Sequence, residues 1–234
     1  MSGRRGFKTT VRDLLRGRGY DIVRFTRMQL IEHQRIGVVL DVGANTGQFA
    51  KQIQRLGYRG RIVSFEPVAA AAALLQASAA KNPLWEVHQL ALGDVDQTVS
   101  MNVSKNLVSS SILQQRPALG DADPTSRFFG TEIVKVATLD GLFDDLVREG
   151  ERVLLKIDTQ GYERQVLQGA ESTLPRIVGL HLEVSLIELY EGEFLLLEAM
   201  QFLEQLGYHL ASLEPSLPDP SSGQLLQVDL TLFR

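Results

Sequence analysis

The stretch "VVLDVGANTGQFAKQI", residues 38–53, joins an apolar run, a glycine turn and a segment of helical spacing. The apolar run predicts a short strand that is buried on both faces, as strands of parallel sheets are. The turn at residues 43–47 carries two glycines, and Gln48 begins the helical segment. A strand, a tight turn and a helix in this order predict a nucleotide-type pocket at the carboxyl end of a strand in an α/β sheet.

Length and composition bound the class of protein. The chain has 234 residues, with 44% hydrophobic and 22% charged, which is typical of one globular α/β domain with an added arm or insertion. The sequence has no apolar run of the roughly 20 residues that cross a bilayer, and no signal-peptide core follows its first arginines. It contains no cysteine, which excludes disulfides and thiolate catalysis. We therefore expect a cytoplasmic protein.

Charge is distributed unevenly along the chain. Residues 1–35 contain nine Lys and Arg against three acidic residues, whereas the net charge of the whole chain is −4. We predict a basic helical N-terminal arm at 1–35 and a domain at 36–234. The arm is interpreted as an amphipathic helix that packs on its own domain or on a twin subunit in a homodimer. Alternatively, it contacts a phosphate-bearing substrate, a glycolipid or a membrane surface.

Strand-like and helix-like segments alternate after the arm. The predicted strands are 38–42, 60–66, 84–90, 132–137, 153–158, 178–184, 208–213 and 225–233, and the predicted helices between them include 67–80, 138–148, 162–174 and 193–206. The last two strands, joined by a Pro/Ser/Gly-rich loop, predict an antiparallel hairpin on the sheet's edge. The pattern predicts an α/β, Rossmann-like, doubly wound sheet of about seven strands with an antiparallel terminal hairpin.

One segment breaks this alternation. Residues 93–131 are polar and serine-rich, contain two prolines, and alternate like an antiparallel strand at 98–103. Long loops inside compact domains are usually lids or binding elements. We interpret the segment as an insertion or lid over the carboxyl edge of the sheet, with the serines at 109–111 as hydroxyl donors.

The glycine turn selects among nucleotides. It fails the G-x-G-x-x-G dinucleotide fingerprint, because Asn45 and Gln48 stand at the second and third glycine positions, and no Gly-Lys-Ser/Thr run is present. Asp41, two residues before Gly43, would repel a pyrophosphate. The same carboxylate suits a ligand with a cationic ammonium and no phosphate, and S-adenosylmethionine has that character.

Glu66 ends the second predicted strand and agrees with this choice. An acid there accepts both ribose hydroxyls in dinucleotide and S-adenosylmethionine proteins alike. The alternative is that Asp41 only caps the turn and that Glu66 is a solvated strand end. Glu66 together with D-x-G-x-N-x-G favours S-adenosylmethionine as the cofactor.

Six blocks of sequence carry a family resemblance. They are "VVLDVGANTG" (38–47), "SFEP" (64–67), "ALGD" (91–94), "ATLDGL" (137–142), "LLKIDTQGYERQVLQGA" (154–170) and "HLEVS" (181–185). With these blocks the chain resembles the FkbM-type methyltransferases, a class I S-adenosylmethionine-dependent family, and the 154–170 block is the most specific. The arm lies outside the match. The resemblance implies seven strands with the last antiparallel, and methyl transfer to a hydroxyl oxygen.

The resemblance also implies roles for particular residues. The methionine part of the cofactor would be held by Asp41, Gly43, Ala44, Asn45, Thr46 and Gly47. Glu66 would bind the ribose, and the chain at Ala91 and Leu92 would border the adenine.

Two predicted neighbouring strands carry the candidate catalytic groups. Lys156 and Asp158 are two residues apart on a strand and therefore share a face, as do His181 and Glu183 on the next strand. A lysine inside "VLLKID" is unfavourable unless it is paired or meets a ligand. We predict Asp158 as the general base or substrate-orienting carboxylate, with Lys156 tuning its charge and Glu183 assisting.

Each of these residues has a simpler alternative. Asp158 would bind only the cofactor's amino group, Lys156 would be a structural ion-pair partner, and His181 would be a satisfied sheet histidine. Glu163 would stabilise the start of a helix. Asp158 and Glu183 are too few for an oxygen-rich metal site, so no metal is predicted.

The leading interpretation is an S-adenosylmethionine-dependent O-methyltransferase acting on a hydroxyl of a sugar, glycolipid or natural product. The first alternative is an RNA ribose O-methyltransferase. The acidic body and the absence of an aromatic-basic stacking platform disfavour a nucleic-acid partner. The second alternative is a non-catalytic S-adenosylmethionine-binding protein, which the intact 154–170 block disfavours.

Overall fold

A computed structural model of the protein describes residues 27–234. The strands within these residues are β1 (Val38–Val42), β2 (Arg61–Phe65), β3 (Trp85–His88), β4 (Ala91–Leu92), β5 (Gln97–Ser104), β6 (Phe128–Ala137), β7 (Val153–Ile157), β8 (Ile177–Ser185), β9 (His209–Pro218) and β10 (Leu225–Phe233). The α-helices are α1 (Arg27–His33), α2 (Gln48–Arg55), α3 (Ala69–Ala79), α4 (Pro117–Ala122), α5 (Leu139–Leu146), α6 (Glu163–Gln168) and α7 (Leu196–Gln205).

The main sheet has seven strands in the order β3-β2-β1-β7-β8-β10-β9. Strands β3, β2, β1, β7 and β8 run parallel, and β10 is antiparallel to both β8 and β9. This arrangement confirms the predicted doubly wound sheet and its antiparallel terminal pair. The predicted hairpin at the edge of the sheet is confirmed, with β10 next to β8 and β9 outermost. Most of the apolar sequence of β10, "LLQVDLTLF", is buried, whereas most of β9 is exposed.

Helices cover the main sheet on both faces. Every residue of β1 and β7 is buried, as expected for central parallel strands. One face packs against α1, α2 and α3, and α2 turns Phe49, Ala50 and Ile53 towards it. The other face packs against α5, α6 and α7. The carboxyl ends of the parallel strands therefore meet at one rim between two helical layers.

A second sheet has three strands in the order β4-β6-β5. Strand β6 begins at Phe128, earlier than predicted, and pairs antiparallel with β5 rather than joining the main sheet. The segment 93–131 thus supplies β5, α4 and the start of β6. Met101 and Val103 pack with Val68 and Ala71 near the end of β2. This packing places the segment beside the rim of the main sheet.

The predicted helix 162–174 is shorter in the structure, where α6 covers Glu163–Gln168. Gly169 follows it, and a Cβ there would stand 1.8 Å from the carbonyl oxygen of Gly93. The described end of the predicted arm, α1, contributes Met28 and Ile31 to the core. Residues 1–26 of the predicted arm lie outside the described residues. Across residues 27–234, no helix combines the length and apolar character needed to span a membrane.

Candidate active site

Asp41 and Lys156 form a buried ion pair under the rim. The parallel register of β1 and β7 sets them side by side, with Lys156 Nζ 3.1 Å from Asp41 Oδ1, and Asp41 is fully buried. Lys156 Nζ also donates to the carbonyl oxygen of Gly43 at 2.9 Å. Burial lowers the pKa of Lys156, but the carboxylates of Asp41 and Asp158 outweigh this effect and hold that pKa above its usual value. Asp41 is thus paired within the protein, and its contact with a cofactor stays a prediction.

The glycine turn approaches the end of β7 closely. Gly43 has φ +69°, and a Cβ on it would stand 1.8 Å from the carbonyl oxygen of Asp158. Only glycine fits this position. At Gly47 the close neighbour is a side chain, because a Cβ there would stand 2.8 Å from the Trp85 ring. Thr46 donates its backbone N–H to Asn45 Oδ1 at 2.6 Å.

Glu66 is not a solvated strand end. Its side chain is buried, Oε2 accepts the backbone N–H of Asn45 at 2.8 Å, and Oε1 accepts that of Val68 at 2.9 Å. Burial raises the pKa of Glu66 to about 7, and the two N–H donors oppose this shift. From the end of β2, Glu66 thus holds the glycine turn by its hydrogen bond to Asn45 and keeps further lone pairs for a ligand.

A cavity of about 240 Å³, here called the rim cavity, lies between the turn and the 93–131 segment. The predicted site residues that line it are Gly43, Ala44, Asn45, Glu66, Ala91, Leu92, Lys156 and Asp158. Asp41, Thr46 and Gly47 are not among its lining residues. One buried acid among mostly apolar walls suits a nucleoside without phosphates, because Lys156, the one cation of the described lining, is already paired. The residues present therefore fit S-adenosylmethionine.

Asp158 and Glu183 converge as the strand spacing predicts. Strands β7 and β8 are parallel neighbours, and the Gln160 amide nitrogen donates to Asp158 Oδ1 at 2.8 Å and to Glu183 Oε2 at 2.7 Å. Lys156 Nζ lies 3.5 Å from Asp158 Oδ2. The three predicted catalytic residues are thus brought together, while their catalytic roles stay predictions.

A second cavity of about 410 Å³, the polar cleft, adjoins the rim cavity. It shares Gln48, Phe49, Lys156 and Asp158 with the rim cavity, and its own lining is Arg27, Gln52, Arg55, His181, Glu183, Ser216 and Asp229. Glu183 Oε1 accepts the Ser216 hydroxyl at 2.6 Å. Burial raises the pKa of Glu183 well above its usual value, and the negative charge of Asp158 adds to this effect. Because Asp158 lines both cavities, its carboxylate lies on the wall between them.

The simpler alternatives for His181 and Glu163 agree with the contacts. His181 Nδ1 lies 3.0 Å from Thr231 Oγ1, and its ring stacks on Phe49 at 5.3 Å. Burial lowers the pKa of His181 well below its usual value, which keeps the imidazole neutral. Glu163 Oε1 accepts the backbone N–H of Thr159 at 2.8 Å and its hydroxyl at 3.0 Å, so Glu163 shapes the loop that follows β7.

Sequence reasoning missed Gln160 and Tyr190. The Gln160 side chain is buried between the two carboxylates, and its Oε1 accepts the Tyr190 hydroxyl at 2.8 Å. Gln160 lies within "DTQGYE", between residues that the motif marks, which is a signal for its role, whereas Tyr190 lies in no recognised block. Ser111, expected as a donor to a ligand, donates its hydroxyl to the carbonyl oxygen of Gln160 at 2.6 Å.

No group of three or more His, Asp or Glu side chains in residues 27–234 is arranged to hold a metal ion. The choice of a metal-free site stays a prediction.

Comparisons with known proteins agree with the motifs. A model of the methyltransferase FkbM domain matches residues 41–210. The 2-O-methyltransferase NoeI of Sinorhizobium fredii is 28% identical over 163 residues, which cover 67% of this chain and 66% of NoeI. The AMB antimetabolite synthetase AmbE of Pseudomonas aeruginosa is 30% identical over 175 residues, 63% of this chain and 8% of AmbE. The chain thus spans less than two thirds of the length of both curated relatives.

Solved structures also resemble the chain at a distance. Fibrillarin of Aeropyrum pernix, solved with natively bound S-adenosylmethionine, superposes with a TM-score of 0.47 at 11% identity, covering 84% of this chain and 66% of that one. The family match covers well over half of the chain. The chain therefore belongs to the FkbM methyltransferase family, as its sequence blocks predicted.

Proposed function

We propose that the protein is an S-adenosylmethionine-dependent O-methyltransferase that acts on a hydroxyl group of a small molecule. A sugar or glycolipid hydroxyl is the favoured acceptor. The observation that carries the proposal is the position of Asp158, whose carboxylate lines both the rim cavity and the polar cleft. A base on a shared wall can reach an acceptor in one cavity while the cofactor fills the other.

The rim cavity supplies the cofactor contacts. Glu66 would accept the ribose hydroxyls, Ala91 and Leu92 would border the adenine, and the turn at Gly43 would hold the methionine part. When bound, S-adenosylmethionine supplies a methyl group on a sulfonium, which leaves as a neutral thioether. The chain contributes by aligning the acceptor with that methyl group, an effect worth up to about 7–11 kcal/mol in intramolecular models.

Asp158 would take the proton that the acceptor hydroxyl loses. Its Oδ1 holds the Gln160 amide, and its Oδ2 lies beside Lys156 without a hydrogen bond from any residue in 27–234. Oδ2 is therefore the oxygen open to a hydroxyl proton. General-base catalysis of this kind contributes about 10²–10⁴-fold.

The polar cleft supports an uncharged, hydroxyl-rich acceptor. Asp158, Glu183 and Asp229 present carboxyl groups there. Among the cations of the lining, Arg27 is already paired with Asp229 and Lys156 with Asp41, each at 3.1 Å, and Arg55 is the third. Carboxylates and side-chain amides hydrogen-bond hydroxyl groups, whereas they disfavour the phosphates of RNA. The 2-O-methylation in the name of NoeI adds support for transfer to oxygen.

The test begins with calorimetry of the intact protein with S-adenosylmethionine. Transfer of a tritiated methyl group is then measured on a panel of mono- and oligosaccharides and glycolipids. For the acceptor that is methylated, Asp158→Asn should lower kcat by about 10²–10⁴-fold and leave cofactor affinity within about threefold. Asp145→Asn, at an exposed residue of α5, is the matched control.

Three results would count against the proposal. Failure to bind S-adenosylmethionine overturns the cofactor assignment. Methylation of RNA and of none of the small molecules favours the alternative acceptor. A loss confined to cofactor affinity in Asp158→Asn places Asp158 in binding and removes it from the chemistry.

A further inference from the structure

Gln160 lies at the centre of a hydrogen-bond network that spans the site. Its two amide N–H bonds go to two different carboxylates, Asp158 Oδ1 at 2.8 Å and Glu183 Oε2 at 2.7 Å. Its own oxygen accepts the hydroxyl of Tyr190 at 2.8 Å. An amide rotated by half a turn would point its oxygen at both carboxylates and leave the Tyr190 hydroxyl with only the Ser109 carbonyl oxygen, at 3.2 Å, as an acceptor. The network therefore admits one orientation of the amide.

The backbone of Gln160 is held as firmly as its side chain. Gln160 has φ +56°, a left-handed conformation that is uncommon for a residue with a side chain. Ser111, which is fully buried, donates its hydroxyl to the Gln160 carbonyl oxygen at 2.6 Å. Ser111 belongs to the 93–131 segment, and Tyr190 follows β8. Two parts of the chain that lie outside the catalytic strand thus fix one side chain beside it.

We propose that Gln160 is the positioning residue of this active site. Its amide holds Asp158 by one oxygen and turns the other oxygen, Oδ2, towards the acceptor hydroxyl, and Tyr190 fixes the amide in that orientation. The inference rests on the proposed function and adds to it the residue, Gln160, that orients the general base Asp158. In the reaction, the acceptor O–H bond and the methyl–sulfur bond of the donor break as the new O–CH₃ bond forms. The proton goes to Asp158 Oδ2, and the sulfur leaves as a neutral thioether.

The same contacts give Glu183 a supporting role. Its Oε2 accepts from Gln160 and also from the Gln227 amide at 3.2 Å, and its Oε1 accepts from Ser216. Both oxygens therefore accept hydrogen bonds within the protein, whereas Oδ2 of Asp158 has only the Lys156 ammonium beside it, at 3.5 Å. Glu183 holds the far side of the Gln160 amide.

Substitution of Gln160 by methionine tests the proposal, because methionine keeps the length of the side chain and removes both donors. The charged groups facing Asp158, none of them changed in the test, are Asp41 on β1, Lys156 on β7, Glu163 on α6, Glu183 on β8 and Asp229 on β10. Loss of both donors removes the hydrogen bond that orients the Asp158 carboxylate. We expect the ¹³C NMR signal of that carboxylate, recorded at one fixed pH, to shift relative to the parent.

Kinetics supply the second readout. On an acceptor that the parent methylates, Gln160→Met should lower kcat by about 10–100-fold, while calorimetry with S-adenosylhomocysteine gives an affinity within about threefold of the parent. Tyr190→Phe keeps the ring and removes only the hydroxyl, so it should shift both readouts in the same direction by a smaller amount. Gln76→Met, at an exposed residue of α3, is the matched control and should change neither.

The outcomes separate this inference from the proposed function. An unmoved Asp158 carboxylate signal or an unchanged kcat in a folded Gln160→Met protein overturns the positioning role. If Gln160→Met does not fold, an unmoved Asp158 signal in Tyr190→Phe overturns it. A parent protein that does not bind S-adenosylmethionine refutes the proposed function instead, and the Asp158 signal still reports on the network.

Discussion

Asp41 on β1 and Lys156 on β7 stand side by side in register, with 3.1 Å between Oδ1 and Nζ and both side chains removed from solvent. Removing one partner leaves an uncompensated buried charge. We expect Lys156→Met to lower the free energy of unfolding by about 3–5 kcal/mol in urea denaturation. Lys135→Met, at an exposed lysine of β6, should stay within about 0.5 kcal/mol.

The double variant makes this prediction sharper. Asp41→Asn combined with Lys156→Met removes both charges, so we expect it to be more stable than Lys156→Met alone. Equal losses in the single and double variants would show that the lysine stem, and not the ion pair, carries the effect.

Gly43 cannot carry a side chain without moving the end of β7. A Cβ there would overlap a backbone oxygen, that of Asp158, at 1.8 Å, and φ is +69°. We expect Gly43→Ala to reduce stability by about 3 kcal/mol or more and to weaken binding of S-adenosylhomocysteine, measured by thermal unfolding and calorimetry. Gly130→Ala is the control, since no atom lies within 4 Å of its Cβ position. Near-equal behaviour of the two variants would contradict the close approach.

The raised pKa of Glu66 predicts that the affinity for the cofactor depends on pH. Burial raises its pKa to about 7 from an ordinary value of 4.5, so its ionised fraction in the free protein rises as the pH passes through about 7. The ionised carboxylate is the better acceptor for two hydroxyls, so the affinity for S-adenosylhomocysteine should rise about tenfold between about pH 6 and pH 8. Calorimetry across this range in Glu66→Gln should show a flat profile, and Glu204→Gln should follow the parent.

The same shift has a defined sign for stability. A carboxyl group whose pKa is higher in the folded protein contributes stability that is complete below about 4.5 and is lost as the pH rises through about 7. We expect the parent to lose stability relative to Glu66→Gln over that interval in urea denaturation. A difference that stays constant over that interval would show that Glu66 is ionised throughout.

Arg27 ties the described end of the predicted arm to the terminal strands. Its guanidinium donates to Glu214 on β9 and to Asp229 on β10, each at 3.1 Å, and the side chain is buried. We expect Arg27→Met to lower the free energy of unfolding by about 3 kcal/mol. Lys81→Met, at an exposed lysine after α3, is the control. A negligible loss would place the start of the domain after α1.

Local pattern was sufficient for most of the main sheet. The apolar runs of β1 and β7 and the turn at Gly43 are features of short segments, and these are the parts that the sequence predicted well. The pairing of β5 with β6 is different, because it joins residues about thirty positions apart whose alternation is weak. Membership of a strand in one sheet or the other is decided by such non-local contacts.

In the candidate site too, features set by local spacing were predicted and features set by distant contacts were not. The spacing of Lys156 and Asp158 on one strand predicted that they share a face, and the order of the strands brought Glu183 beside them. The partnership of Lys156 with Asp41 depends on the register of two strands more than a hundred residues apart, which no local pattern encodes. Gln160 was missed for a related reason, since its role depends on contacts with Tyr190 and Ser111 far along the chain.

The division between the two cavities has an evolutionary consequence. Ser216 and Asp229, on β9 and β10, line the polar cleft and not the rim cavity. Under the proposed function, mutations on those two strands can therefore alter which acceptor is bound while the residues of the rim cavity that would hold the methyl donor stay unchanged. Enzymes that share the donor cavity would then differ in their acceptors along this wall.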